Sequence, residues 1–282
     1  MRCQVCFRHC EIPEGRVGFC GARVNREGRI LPLYYGRVSS LALDPIEKKP
    51  LSHFHPGSRI LSVGSLGCNL ACPFCQNHEI AQREYGVFHA ETEALSPEEL
   101  AELAGRAKGR GNIGVAFTYN EPLVGYEYVR DTARRIRKAG MVSVLVTNGT
   151  AEMDVLREIL PLTDAMNIDL KGFTDRYYEQ VLGGRRRVVM DFIREAVKAC
   201  HVELTTLIVP GENDTAGEME EMCRWIAGLK GMQGGGDEIP LHVSRFFPRH
   251  HMRDRGPTDV KRVYELADTA RRYLRHVHVG NC

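Results

Sequence analysis

Net charge is what this chain most nearly lacks. Its 38 basic and 36 acidic side chains leave a formal charge of +2 over 282 residues. That balance gives no electrostatic case for nucleic-acid binding. Long apolar runs are missing too: nothing approaches the ~20 residues of a membrane-spanning helix. The opening residues, MRCQVCFRHC, lack the apolar stretch of a secretory leader. A cytoplasmic, reducing setting is therefore expected, with no membrane partner. No 20–50-residue repeat stands out beyond a strand–helix unit. With 43% hydrophobic and 26% charged residues, the composition is that of an ordinary globular protein.

Cysteine, by contrast, is plentiful. Ten cysteines in a reducing setting read as metal or redox groups before they read as disulfides. They fall into groups. Cys3, Cys6, Cys10 and Cys20 form one; Cys68, Cys72 and Cys75 form another, in CNLACPFCQ. Cys200 and Cys223 are isolated and read as small buried residues. Cys282 ends the sequence, which leaves open a further tail.

Residues 1–59 are expected to be a Cys-rich, β-containing N-terminal extension and connector. They hold β-like stretches at 30–35 and 37–43 and a proline-punctuated run, DPIEKKPLSHFHP. From residue 60 to 282, strands at 60–66, 113–118, 142–147, 165–170, 202–209 and 239–244 alternate with helical patterns. Ser96-Pro97-Glu98-Glu99 marks a helix start. Further helices fit 122–139, 152–160, 188–198, 217–229 and 259–275. Six βα units argue for an α/β fold with a parallel sheet, flat or curled into a barrel.

The second cysteine group follows the first strand of that core. Ligands of parallel α/β folds collect at the carboxyl ends of the strands. TYNE, TNGT, DLKG and VPGEND follow or end the next four strands, at the same edge. Three thiolates suit zinc, copper(I) or an iron–sulfur cluster. Three cysteines on a [4Fe–4S] cubane leave one iron open. Gly67 relieves crowding at the turn, and Asn69 and Asn77 can donate hydrogen bonds. A zinc site completed by His78 is the alternative. The four N-terminal thiols fit a closed zinc site or an accessory cluster, with His9 able to replace one of them.

CNLACPFC resembles the C-x3-C-x-aromatic-C signature of radical S-adenosylmethionine (radical SAM) enzymes, with Phe74 as the aromatic residue. CEIPEGRVGFCGAR, DPIEKKPL, FTYNEP, NIDLKG, TTLIVPGEND and HVSRFFP together resemble the radical SAM member of the AmmeMemoRadiSam group, a branch similar to pyruvate formate-lyase activating enzymes. The resemblance implies a partial (β/α)6 TIM-like barrel. It also implies a [4Fe–4S] cluster on Cys68, Cys72 and Cys75 whose open iron is chelated by SAM. One electron, from a donor such as flavodoxin or ferredoxin, then releases a 5′-deoxyadenosyl radical that takes hydrogen from a substrate, small molecule or protein.

The family's SAM contacts carry over by position. Thr118, Tyr119, Asn120 and Glu121 stand where a GGE-like motif meets the SAM amine, although TYNE departs from Gly-Gly-Glu. Thr147 and Asn148 match contacts to the methionyl part or ribose. Asp169 and Lys171 match a D-x-K element at the SAM carboxylate and ribose. Val209 lies where the chain passes the adenine, and His242 matches a histidine facing the ribose. Each has a plainer alternative: an ion pair for Asp169 and Lys171, a helix-start acid for Glu121, a core histidine for His242. Two other functions remain open, a glycyl-radical enzyme activase and a non-enzymatic metal-binding module.

Overall fold

The computed structural model describes residues 1–83, 88, 90–232 and 234–282. Its centre is one eight-stranded sheet. The strands are β1 (Ser40–Pro45), β2 (Arg59–Gly64), β3 (Asn112–Phe117), β4 (Val142–Thr147), β5 (Ala165–Asp169), β6 (His201–Ile208), β7 (Leu241–Arg245) and β8 (Val277–Gly280). Each lies beside its predecessor in the chain. β2 to β8 run parallel and β1 is antiparallel to β2.

That strictly sequential order decides between a flat sheet and a barrel. Right-handed crossovers that always step in one direction put every connecting helix on one face. The sheet then curls, and its other face becomes a concave interior. Among the described residues the edge strands β1 and β8 do not pair with each other, so the barrel stays open. The fold is the expected partial TIM-like barrel.

The six expected core strands are present within two residues at most ends. The outer helices are α1 (Pro97–Arg106), α2 (Tyr126–Lys138), α3 (Met153–Ile159), α4 (Arg186–Ala196), α5 (Ala216–Ala227) and α6 (Val260–Arg271). α1 opens with a reciprocal capping box between Ser96 and Glu99. Pro122–Gly125 forms a separate 3-10 turn before α2, so the stretch read as one helix is two pieces.

Two sheet strands were not anticipated as such. β1 belongs to the N-terminal stretch yet joins the main sheet, and β8 follows α6 at the chain's end. β-propensity marks an extended segment but not its partner. The proline-rich connector after β1 plugs the lower interior: Ile46 and Leu51 are fully buried there with Ile60, Ala116, Val144 and Ala165. The first 26 residues pack against the loop after β4, through a Cys6–Ala151 bridge and a Glu152 N to Val5 O hydrogen bond of 3.0 Å. Among the described residues no helix is long and apolar enough to cross a membrane.

Candidate active site

A cavity of about 370 Å³ opens at the carboxyl ends of the strands, within the ~300–1,000 Å³ of small-molecule sites. Cys68, Cys72 and Cys75 line it, together with Thr118, Tyr119, Asn120, Glu121, Thr147, Asn148, Asp169 and Lys171. Residues distant in sequence meet there because each ends a neighbouring strand.

The cysteine loop is held from several sides. Gly67 has φ +100°, and a Cβ there would stand 2.6 Å from the Cys20 carbonyl oxygen, so only glycine fits. Asn120 accepts from Ser65 N at 3.0 Å and donates to Gly67 O at 3.0 Å. Ala71 N bonds Leu182 O at 2.8 Å. The Phe74 ring packs edge-on against Phe246, centroids 6.1 Å apart. Cys68 Sγ faces Leu70 N at 3.4 Å and Asn148 Nδ2 at 3.6 Å, donors suited to a thiolate. Burial pushes all three thiols up, Cys72 to about 11. A soft cation that replaces their protons would offset that cost.

Tyr119 adopts φ +73°, rare for a residue with a side chain. The kink lets its hydroxyl donate to Asp44 at 2.8 Å while its carbonyl accepts from Asn77 at 2.7 Å. Asp44 also binds the ammonium of buried Lys49 at 2.8 Å. Lys48 and Lys49 line the cavity too, although DPIEKKPL suggested no role for them. A lysine in a connector ordinarily snorkels to water, so its burial could not be read from sequence.

Glu121 is almost fully buried. Its Oε1 accepts from Leu123 N (3.1 Å) and Thr147 Oγ1 (2.8 Å), its Oε2 from Asn148 N (2.7 Å). The helix-start role is therefore real, and it adds a clasp to the end of β4. Burial raises its pKa to about 7 despite these bonds. A carboxylate has about four acceptor positions, so one remains for a ligand. Lys171 Nζ lies 2.8 Å from Asp169 Oδ2, the anticipated ion pair, on the cavity wall. Burial opposes the Lys171 charge, but the negative charge of Asp169 beside it pulls the other way and the pKa stands well above its usual value.

Three anticipated residues stand apart from the cavity lining. Val209 is buried beyond the end of β6, its N–H donating to Asn213 at 2.7 Å. His78 stacks on His250, ring centroids 4.5 Å apart. His242 commits its Nε2 to Glu203 at 2.6 Å. Ser244, two residues on and about 6.6 Å along the same strand face, lines the cavity instead. Thr205, Leu207 and Asn281 also line the wall; single residues of these types near strand ends carry no sequence signal of their own.

This geometry fits a thiolate-held cluster with a small-molecule cofactor beside it. The sequence profile of the radical SAM superfamily matches residues 62–226, more than half the chain. The protein belongs to the radical SAM superfamily and is an enzyme, so the non-enzymatic alternative falls away. The superfamily implies a [4Fe–4S] cluster and SAM.

An uncharacterised protein of Methanocaldococcus jannaschii is 38% identical over all of this chain and 81% of its own length. Pyruvate formate-lyase 1-activating enzyme of Escherichia coli is 27% identical over 60% of this chain and 70% of its own. Streptococcus suis SuiB, solved with bound S-adenosylmethionine, shares the fold: TM-score 0.60, 13% identity, 79% of this chain and 52% of that one.

Proposed function

We propose that the enzyme cleaves SAM reductively at a [4Fe–4S] cluster held by Cys68, Cys72 and Cys75 and uses the product to take a hydrogen atom from a substrate. The bound cluster and SAM would supply the electron and the 5′-deoxyadenosyl radical. The chain's residues hold and orient. Cys68, Cys72 and Cys75 would hold the cluster by three of its irons, and the remaining one would be open to the SAM amino and carboxylate groups. Asp169 and Lys171 present an anion and a cation to the zwitterionic methionyl end and the ribose hydroxyls. Thr118, Asn120 and Glu121 offer the amine its acceptors, and Thr147 with Asn148 fixes the opposite wall. The one-electron donor is a small low-potential carrier of the flavodoxin or ferredoxin type. CEIPEGRVGFCGAR and DPIEKKPL support a place in the AmmeMemoRadiSam group.

The observation that carries the reading is the meeting of three free thiols and four polar strand ends on one cavity. Anaerobic reconstitution with iron and sulfide, then incubation with reductant and SAM, tests it. Mass spectrometry should find 5′-deoxyadenosine; its absence from cluster-loaded protein overturns the proposal.

A second reading, a glycyl-radical enzyme activase, rests on the similarity to the E. coli activating enzyme. A glycyl-radical EPR signal on a candidate partner protein would favour it.

A further inference from the structure

Three cysteines are engaged by that reading, Cys200 and Cys223 are packed in the core, and Cys282 is exposed. The four N-terminal cysteines remain. Cys3, Cys6, Cys10 and Cys20 are free thiols that together line one void. Its other walls include the apolar Val5, Ile12 and Val124 and two arginines, Arg8 and Arg23. His9 is turned elsewhere, its Nε2 lying 2.9 Å from Glu152.

Arg23 pairs through Nη1 with Glu127 at 2.7 Å, yet both arginines also stand at the wall of this void. Arg23 is 4% exposed, and its Nε is a buried donor with no hydrogen-bond partner. Such an orphan is costly unless something in the void accepts from it. Arg8 donates to the carbonyls of Asn69 and Gly183, each at 2.6 Å. Among the described residues no carboxylate pairs with it. Four thiolates around metal carry net negative charge and would answer the Arg8 guanidinium and the unpartnered Nε of Arg23.

The spacing of the thiols indicates the class of metal. A single tetrahedral ion with bonds of about 2.3 Å needs its sulfurs within roughly 4 Å of one another. Among the described residues no three Cys, His, Asp or Glu side chains are grouped to hold one ion. That holds for the N-terminal set and for Cys68, Cys72 and Cys75 alike. A cubane spreads its ligands around a larger body.

The two cysteine sets are joined. Asn69, 1% exposed, belongs to the catalytic loop, and its carbonyl accepts from Arg8 Nε, on the wall of the N-terminal void, at 2.6 Å. Its Oδ1 accepts from Asn148 Nδ2 at 2.9 Å, and the same Nδ2 reaches Cys68 Sγ at 3.6 Å.

We infer that Cys3, Cys6, Cys10 and Cys20 hold a second iron–sulfur cluster, and that Asn69 bridges it to the catalytic cysteine loop. With four protein ligands this cluster has no iron open to SAM. Its influence on the first centre runs through the positioning residue Asn69. The inference rests on the function proposed above only for the identity of the first cluster.

Anaerobic reconstitution of the whole chain and two variants tests it. The Cys68→Ala/Cys72→Ala/Cys75→Ala protein should keep roughly half the wild-type iron and sulfide, as expected for one of two clusters, in a form whose EPR signal SAM does not alter. Cys6→Ala/Cys10→Ala should lose that share and keep the SAM-sensitive signal. Should the second variant fail to fold, the first still decides, because its N-terminal thiols are intact. No iron in it, or zinc in place of iron, overturns the second cluster. Full iron in it would instead sink the assignment of Cys68, Cys72 and Cys75, so the two failures are distinct. Asn69→Leu should retain iron in both sites and shift the g-values of the SAM-bound cluster. An unshifted spectrum overturns the bridge.

Discussion

Lys171 donates to Asp169 across 2.8 Å at the end of β5, and both line the cavity beside the cysteine loop. The pair is at once a structural ion pair and the expected contact for SAM. Charge-assisted hydrogen bonds of this kind contribute about 1.5–3 kcal/mol. Asp169→Ala should therefore weaken SAM binding about 10- to 150-fold. Its cluster absorbance should survive, since Asp169 supplies no thiolate. Normal SAM affinity by calorimetry would leave only the structural role.

Cys72→Ala should lose the absorbance of the SAM-responsive cluster and all 5′-deoxyadenosine formation. Loss of one of three ligands exposes a second iron and leaves the cluster without a stable seat. Full turnover in this variant would show that another residue provides the ligand.

Gly67→Ala tests the contact between the N-terminal lobe and the cysteine loop. The new methyl group would meet Cys20 O at 2.6 Å and Ala22 Cβ at 2.9 Å, at a φ of +100°. Overpacking and backbone strain together should cost about 2–4 kcal/mol. A lowered melting temperature with poorer iron loading is the expected result; wild-type values for both would mean that the loop yields without cost.

Glu203 sits fully buried at the opposite end of the barrel. It accepts from Ser52 N at 3.0 Å and His53 N at 2.7 Å, and lies 3.0 and 2.6 Å from Nε2 of His201 and His242. Burial opposes its charge, yet these bonds hold its pKa well below the usual carboxylate range. Glu203→Gln turns an amide donor toward backbone N–H groups and should cost about 2–4 kcal/mol. Thermal melting should fall by several degrees while iron loading persists. Equal stability would mean that the connector is held by packing alone.

His53 and His278 meet beside that carboxylate, Nε2 to Nε2, at 2.9 Å. Burial lowers both pKa values, and neighbouring histidines lower them further against the pull of Glu203. The unfolded chain then binds more protons than the folded one below the ordinary histidine pKa of about 6.5. Stability rises with pH in that window, so it is lost as pH falls from about 6.5 through the folded values. His53→Asn and His278→Asn should flatten the pH dependence of urea unfolding between pH 5 and 7. An unaltered slope would assign the acid sensitivity to other groups.

Much was legible from the chain alone. Strand–helix alternation marked all six core strands, because apolar runs bounded by Gly, Pro and caps are local signals. The motif around Cys68, Cys72 and Cys75 led to the superfamily by resemblance, while its spacing alone left zinc and an iron–sulfur cluster both open, because three close thiolates suit either soft centre. The polar residues at strand ends were found because a parallel sheet places them at one edge.

Other features needed the fold. Sequential strand order curled the sheet, and β1 and β8 found partners that local propensity does not specify. His242 went to Glu203 rather than to the cavity, because that carboxylate waits inside the barrel from a neighbouring strand. Lys49 was buried because Asp44 and Tyr119 met it. The contact between Gly67 and Cys20 crosses 47 residues of sequence. Such relations depend on which surfaces pack together, a property of the whole chain that no short stretch of sequence contains.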